Sequence, residues 1–496
     1  MPIRGAIAVT ESNLTNITSK IQIREAVKIG IMSPKDYAQE EHSLQHPTYP
    51  SNCLEFLNTG YRETTLQTAR LRLNITIVGA GLGGLATAIA LASSGHTVTV
   101  YEQAAALGEV GAGIQIPSNS TRLLNRLGLE PYLAKYITEP ESISFRRWET
   151  GDVIGLTKLI PNFRALFGAR YYVIHRANFH SALHERAMDL GVTIKLGSRV
   201  TAYDTENGTI SLESGQVSPP SDLVVAADGV KSVARQLIDK SGLQPFTRTG
   251  FAAYRATVDV SLIKQDPQTA WLLERPALNI WIGDQRHVMT YTIGAGKSFN
   301  MVLSHPDASD PTTWDQTEAT TEMKREFEGW DPRLTKIIGM IQNTIKWPLV
   351  SGNPLSQWTA GKVIILGDAA HAMLPYMSQG AAMAVEDGVA LARSLTKITN
   401  SSEINKALGI FEKVRIDRAG KMQEASLLNG KLWHFADGPV QKARDAAMMP
   451  ETRGEPFSHS PNQWSDPATQ MWSYAYDADV EIDQAWANDA PSKSHL

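Results

Sequence analysis

The stretch NITIVGAGLGGLATAIALASSGHTVTVYEQ, Asn74 to Gln103, decides the fold. It contains an unbroken run of apolar or small residues from Ile75 to Ala92, long enough to suggest a membrane span. The glycines argue against that. Gly79, Gly81, Gly83 and Gly84 cluster where a spanning helix would need continuous helical backbone. A strand–turn–helix explains them without strain. "ITIV" is β-branched, Gly79, Gly81 and Gly84 fit G-x-G-x-x-G, and an alanine-rich helix follows and ends near Gly95. A second strand, "TVTVYE", places Glu102 about 20 residues beyond the first glycine, the context a dinucleotide-binding unit requires. Gly79 then serves the tight turn, Gly81 lets backbone approach a pyrophosphate, and Gly84 lets helix and strand pack closely. The helix start offers N–H groups to phosphates. Glu102 should accept hydrogen bonds from ribose hydroxyls. An acid there suits a 2′-OH and repels a 2′-phosphate, so the site should hold FAD or NAD.

The rest of the chain sets bounds on what such a unit can serve. With 496 residues there is room for two or three domains' worth of structure. Apolar content of 42% and charged content of 20% are ordinary for a soluble chain, and a net charge of −4 gives no reason to expect a nucleic-acid partner. The single cysteine, Cys53, excludes an internal disulfide and Cys-rich zinc patterns, and no metal site is expected. The N-terminus lacks a sustained apolar signal segment. A glycosylation sequon at Asn74 would fall on a central strand, where a glycan could not fit. These points lead to an expectation of a cytoplasmic protein without a membrane span.

Two further motifs place a carboxylate just past an apolar strand, where α/β sheets bind ligands. "VVAADGVKSVAR" (Val224–Arg235) carries Asp228, and "KVIILGDAAHAMLPYMSQGAAMAVEDG" (Lys362–Gly388) carries Asp368. In the second, Pro375 stiffens a loop feeding a helix that starts near Gly380. The N–H groups of Gly380 and Ala381 would point at an anion, such as a reduced flavin ring. His371 reads as a satisfied histidine, and Glu386 and Asp387 as structural or solvated. The three motifs, in this order and at these separations, resemble the single-component flavin-dependent aromatic hydroxylases. The salicylate-hydroxylase-like monooxygenases common in fungal pathways are the nearest match. "EVGAGIQIPSNSTRLLNRLGL" (Glu109–Leu129) and "VIHRANFHSAL" (Val173–Leu183) also read like this family, and the resemblance covers roughly residues 73–480.

The resemblance implies an α/β fold. In it a Rossmann-like FAD-binding domain is interleaved with a mixed β-sheet substrate domain and followed by a C-terminal helical segment. It implies FAD held by Gly113 and Arg176 as well as by the three motifs, with Asp228 and Arg235 also linked to the nicotinamide donor. NADH or NADPH would bind transiently, since no second glycine fingerprint lies between a strand and a helix. The implied chemistry is flavin reduction, addition of O2 at flavin C4a, and attack by an electron-rich ring. The product would be a hydroxylated aromatic, or an epoxide of an electron-rich double bond. A dehydrogenase or reductase on the same fold is the alternative. The W-x-W-x-I-P segment of flavin halogenases is absent.

The expected organisation is a poorly ordered extension over 1–73, the FAD domain over 74–242 and again over 351–395, and the substrate sheet over 243–350. C-terminal helices follow over 396–447, then an extended tail over 448–496 that packs on the body through Trp464, Trp472, Tyr474 and Tyr476. The tail aromatics are also candidates for a homodimer contact. "GDQR" and "GAGK" read as hairpin turns. In the strand "TGFAAYRATVDV", alternation puts Phe251, Ala253 and Arg255 on one face and Tyr254 on the other. Arg255 could stabilise a phenolate or bind a substrate carboxylate, and Tyr291, flanked by Met289 and Ile293, could hydrogen-bond the same group. Trp281 and Ile282 point to opposite faces, so one of them should line the pocket. Some relatives carry a histidine base near the place of Phe251; this chain has none there, which hints at a larger or differently activated substrate.

Overall fold

The computed structural model describes residues 64–108, 112–240 and 246–489. The expected N-terminal extension lies outside the described residues up to position 63. Two large sheets organise the described residues. The first has six strands in the order β16–β17–β10–β1–β2–β7. They are β1 (Asn74–Val78), β2 (Thr97–Tyr101), β7 (Thr193–Lys195), β10 (Leu223–Ala226), β16 (Thr359–Ala360) and β17 (Val363–Ile365). All pair in parallel except the β16–β17 edge. β1, β10 and β17 are almost wholly buried, as near-continuous Val/Ile runs covered on both faces must be. Helix α1 (Leu82–Ser93) follows β1 directly, so the run from Ile75 to Ala92 is strand, turn and helix. Among the described residues no helix is long and apolar enough to cross a membrane.

The second sheet is mixed and seven-stranded, in the order β15–β11–β14–β13–β12–β4–β5. Its long strands are β11 (Phe246–Asp259), β12 (Ala277–Gly283), β13 (Arg286–Ile293), β14 (Ser298–Pro306) and β15 (Ile345–Gly352). "GDQR" joins β12 to β13, and "GAGK" joins β13 to β14 through three consecutive residues of positive φ, Gly294 to Gly296. The sheet does not begin at residue 243. β4 (Ser142–Arg147) and β5 (Val153–Lys158) belong to it, with β4 running parallel to β12. Their apolar residues Ile143, Phe145 and Ile154 are buried in the same core as Ile280 and Ile282 of β12. A small pair, β3 (Gly113–Ile116) with β6 (Tyr172–His175), bridges the two sheets, and β8 (Val200–Asp204) with β9 (Thr209–Leu212) forms a peripheral hairpin.

Period-two alternation sorts the second sheet's faces. Ile280, Ile282, Met289 and Tyr291 enter an inner core with Phe145, Tyr376, Trp433 and Trp464. Tyr254, Trp281, Val288 and Leu303 face an outer core closed by helices Ala319–Glu326 and Pro332–Met340. The C-terminal part is helical: α7 (Gly380–Leu395), α8 (Ile404–Trp433) and α9 (Pro439–Arg453). The tail is not extended. It carries α10 (Pro467–Tyr474) and α11 (Ala478–Asn488), and Trp464, Trp472, Tyr474 and Tyr476 are buried in the body. Gly388 of α7 lies against α1, so close that a Cβ would stand 2.7 Å from the Thr87 Cα.

Candidate active site

A cleft of ≈ 370 Å³ opens between the two sheets, at the C-terminal ends of β1, β10 and β17. One side is built from loops. Gly79 has φ +102°, donates its N–H to the Tyr101 carbonyl at 2.8 Å, and would drive a Cβ to 2.4 Å from the Ala227 carbonyl oxygen. A Cβ at Gly84 would sit 2.0 Å from the Gly79 oxygen, so close packing excludes any side chain there. Gly81 is different: a Cβ would meet nothing within 4 Å, because the space beside it is the cleft. No side chain caps α1, leaving its first N–H groups to a ligand. Glu102 stands just past β2 and accepts from the N–H groups of Ala80 (2.7 Å) and Ala104 (2.8 Å). Those bonds aim its carboxylate and leave acceptor capacity for hydroxyl donors.

The other nucleotide-side residues converge from distant segments. Asp228 follows β10. Its Oδ2 accepts from the Tyr203 hydroxyl and the Val233 N–H, both at 3.0 Å, while its Oδ1 is buried without a protein partner. Asp368, Gly380 and Ala381 line the cleft, with Asp368 exposed beside Gly367 and the other two opening α7 without a side-chain cap. Gly113 also lines it; its N–H donates to Asn300 Oδ1 at 2.6 Å, and a Cβ there would strike the Tyr291 ring. Arg176, first residue of α3 (Arg176–Asp189), borders the same space. An uncapped helix start and an open glycine edge along one cleft fit a dinucleotide of FAD's kind, and Asp228, with its unpartnered oxygen, sits between the cleft-lining Ala227 and Gly229. Arg235 is not at the cleft. It is buried and donates to the carbonyls of Ala370 (2.9 Å) and Asn353 (2.6 Å), holding the loop that carries Asp368.

The facing wall comes from the second sheet. Arg255 of β11 and His287, Met289 and Tyr291 of β13 line it, with Val302, Tyr376 and Trp433. Arg255 opens to the cleft but is enclosed by protein atoms. Burial, and then the Arg176 guanidinium opposite, lower its pKa, while Tyr291 acts the other way. A guanidinium whose charge is disfavoured by a second one nearby creates a place where an anion is welcome. Burial raises the pKa of Tyr291, and that of Tyr376 to about 12, so both remain hydroxyl donors at neutral pH. Neither Trp281 nor Ile282 reaches the cleft. Trp281 is on the outer face, donating to Asp331 at 3.0 Å, and Ile282 lies in the inner core. Phe251 packs on the inner core, and its ring stacks on His434, with centroids 5.1 Å apart. His287, Tyr376 and Trp433 did not emerge from the sequence. His287 had a signal, since it continues the Met289–Tyr291 alternation. The other two sit after "GDAAH" and at the end of a long helix, with nothing local to mark them.

Behind the nucleotide loops lies a fully buried charge network. Glu386 and Asp387 of α7 pair with Arg415 of α8 at 2.6 and 2.8 Å, and Arg418 adds a third bridge to Glu386. His371 Nε2 is 2.6 Å from Asp387 Oδ2, which also accepts from the Gly367 N–H. The two acids are therefore structural rather than solvated, and His371 is engaged on one side only: Asp387 holds its Nε2 beside the Gly367–Asp368 turn, while its Nδ1 is buried without a partner.

Residues 72–426 match the FAD-binding-domain family. The chain is 34% identical to the FAD-dependent monooxygenase OpS4 of Beauveria bassiana, over 84% of this chain and 98% of that protein. It is 33% identical to the FAD-dependent monooxygenase atnJ of Arthrinium sp, over 77% and 90%. A solved salicylate hydroxylase substrate complex superposes with a TM-score of 0.67 at 26% identity, covering 84% of this chain and 98% of that one. These relatives lend nothing to the dehydrogenase alternative. The glycine fingerprint, the two carboxylate loops and the facing sheet are those of a flavoprotein oxygenase, and the chain belongs to the FAD-binding-domain family as an FAD-dependent monooxygenase.

Proposed function

We propose that the protein hydroxylates a phenolic small molecule, with NADH or NADPH as electron donor and O2 as oxygen source. One observation carries this reading: a guanidinium, two tyrosine hydroxyls and an aromatic wall face the nucleotide loops across a single cleft. Bound FAD supplies the reduced ring that activates dioxygen. The chain's own residues do the remaining work. Arg255, with Arg176 opposite, attracts the anionic group of the substrate, whether carboxylate or phenolate, and a phenolate raises the ring's electron density. Tyr291 donates a hydrogen bond to the same group. Met289, Val302, Tyr376 and Trp433 close an apolar wall that excludes water and holds the ring in place. Gly79, Gly81, Gly84, Glu102, Gly113, Asp228, Asp368, Gly380 and Ala381 hold the cofactor in this reading. A single cysteine suits a cytoplasmic enzyme, and fungal relatives named as FAD-dependent monooxygenases suit a role in secondary metabolism.

The test is substrate-stimulated NAD(P)H oxidation across phenolic acids and polyketide phenols, followed by mass detection of a product carrying one added oxygen atom. Stimulation with such a product is the expected outcome. Neither stimulation nor product across the panel would sink the proposal.

A further inference from the structure

His287, in the cleft wall, meets His434 although 147 residues separate them. His287 Nδ1 lies 2.8 Å from His434 Nε2. Their ring planes differ by only 22° and their centroids are 5.1 Å apart, so the rings lie nearly in one plane, edge to edge along the hydrogen bond. His287 lines the cleft, and with Nδ1 engaged its Nε2 is the nitrogen left for a ligand. Tyr376 and Trp433 stand edge-on to His287, and Phe251 covers the face of His434. This cage fixes both rings. His434 follows the last turn of α8 and is only half-buried, so the pair runs from the cleft toward solvent. Arg444 of α9 donates to the carbonyls of Leu432 (2.6 Å) and Trp433 (3.3 Å), and the Gln285 N–H donates to the carbonyl of His434, which pins the segment.

We propose that His287 and His434 form a two-imidazole relay that carries the hydroxyl proton of a bound phenol out of the cleft, with His287 touching the substrate and His434 passing the proton to water. The idea rests on the phenol-hydroxylating reading above. The phenol O–H bond breaks and a bond from that hydrogen to His287 Nε2 forms. The hydrogen on His287 Nδ1 moves to His434 Nε2, and the one on His434 Nδ1 leaves to water. No electrons are exchanged, the phenolate stays opposite Arg255, and each ring ends neutral with its tautomer reversed.

The charges around the pair favour transfer over storage. Burial, and then the neighbouring His434, hold the His287 pKa well below the usual range. Burial, and then the Arg444 guanidinium, pull His434 down to about 3. Asp437, in the same loop, is taken up by Arg147 and by the Trp148 indole N–H, so it does not hold an imidazolium in place. Tyr376 stays protonated, as burial demands. A proton received from the cleft is therefore passed on rather than kept.

The experiment mixes oxidised, FAD-loaded enzyme with 4-nitrophenol and follows the colour of the bound phenolate by stopped flow, without NAD(P)H. In His434→Asn the phenolate should appear about 100-fold more slowly, the scale of general acid–base effects, and reach the same final amplitude because Arg255 is intact. Added imidazole should restore the rate. His287→Asn should behave alike if it folds, and the half-buried His434 keeps the idea testable if it does not. A His434→Asn enzyme that ionises the phenol at the wild-type rate overturns the relay, as does a wild type that binds the phenol without ionising it. Because no turnover is needed, absence of an oxygenated product would count against the proposed function alone.

Discussion

At the scale of single residues, the three fingerprint glycines serve different ends, and substitution separates them. Gly84→Ala places a Cβ 2.0 Å from a backbone oxygen, so the apo protein should lose about 1–3 kcal/mol or fail to fold. Gly81→Ala meets only the cleft, so apo stability should stay within about 0.5 kcal/mol while flavin affinity falls. Thermal melts of apo protein beside flavin fluorescence titrations distinguish the two; equal losses of stability would refute the distinction. Arg255→Met removes a guanidinium without removing bulk. It should weaken binding of phenolic acids by roughly 10–100-fold, the worth of a charge-assisted hydrogen bond, and a neutral aromatic much less. Comparing binding of the two probe classes checks the assignment. Arg255 was legible because alternation in a strand fixes faces. His434 was not, because nothing near it in the chain says that a helix will end beside β13.

At the scale of elements, the contact between α7 and α8 depends on buried charge. Removing Arg415, as in Arg415→Met, leaves Glu386 and Asp387 buried with less compensation and should cost about 3–5 kcal/mol in denaturant unfolding. A cost below about 1 kcal/mol would contradict the network's role. The network also sets an acid limit. Burial alone would push the Asp387 carboxyl up, but His371 and Arg415 hold it down to about 2. Its contribution is therefore present above about pH 4 and is lost as pH falls through 2. The tail helix α11 behaves in the opposite sense. Burial raises Glu481 to about 7 against the pull of Arg418, and its Oε1 has no partner. Stability from its protonated form is full below about pH 4 and lost as pH rises through 7. Glu481→Gln should thus stabilise the protein by about 1–3 kcal/mol at pH 8 and much less at pH 5. Melts at the two pH values check this, and an equal gain at both would rule it out. Sequence placed Glu386 and Asp387 on a helix but could not pair them, since their arginines come from the next helix along.

At the scale of the whole molecule, the cofactor loops come from four separated stretches of chain that meet only in the folded state. FAD should therefore stabilise the entire protein, by about 2.7 kcal/mol when present at 100 times its dissociation constant. A rise in melting temperature with FAD concentration, and none with riboflavin, which lacks the pyrophosphate and adenosine, is the expected result. The sequence by itself determined the strand–turn–helix at Gly79 to Gly84, the acid at Glu102, the two carboxylate turns and the faces of β11 and β13. Those features follow from local backbone sterics and from helix and strand periods, which act over a few residues. The tertiary structure alone decided that β4 and β5 join the second sheet, that the tail folds into helices against Arg122 and Arg418, and that His434 reaches His287. Such meetings depend on which apolar surfaces remain to be buried once the local elements exist, and that is a property of the assembled core rather than of any one stretch of chain.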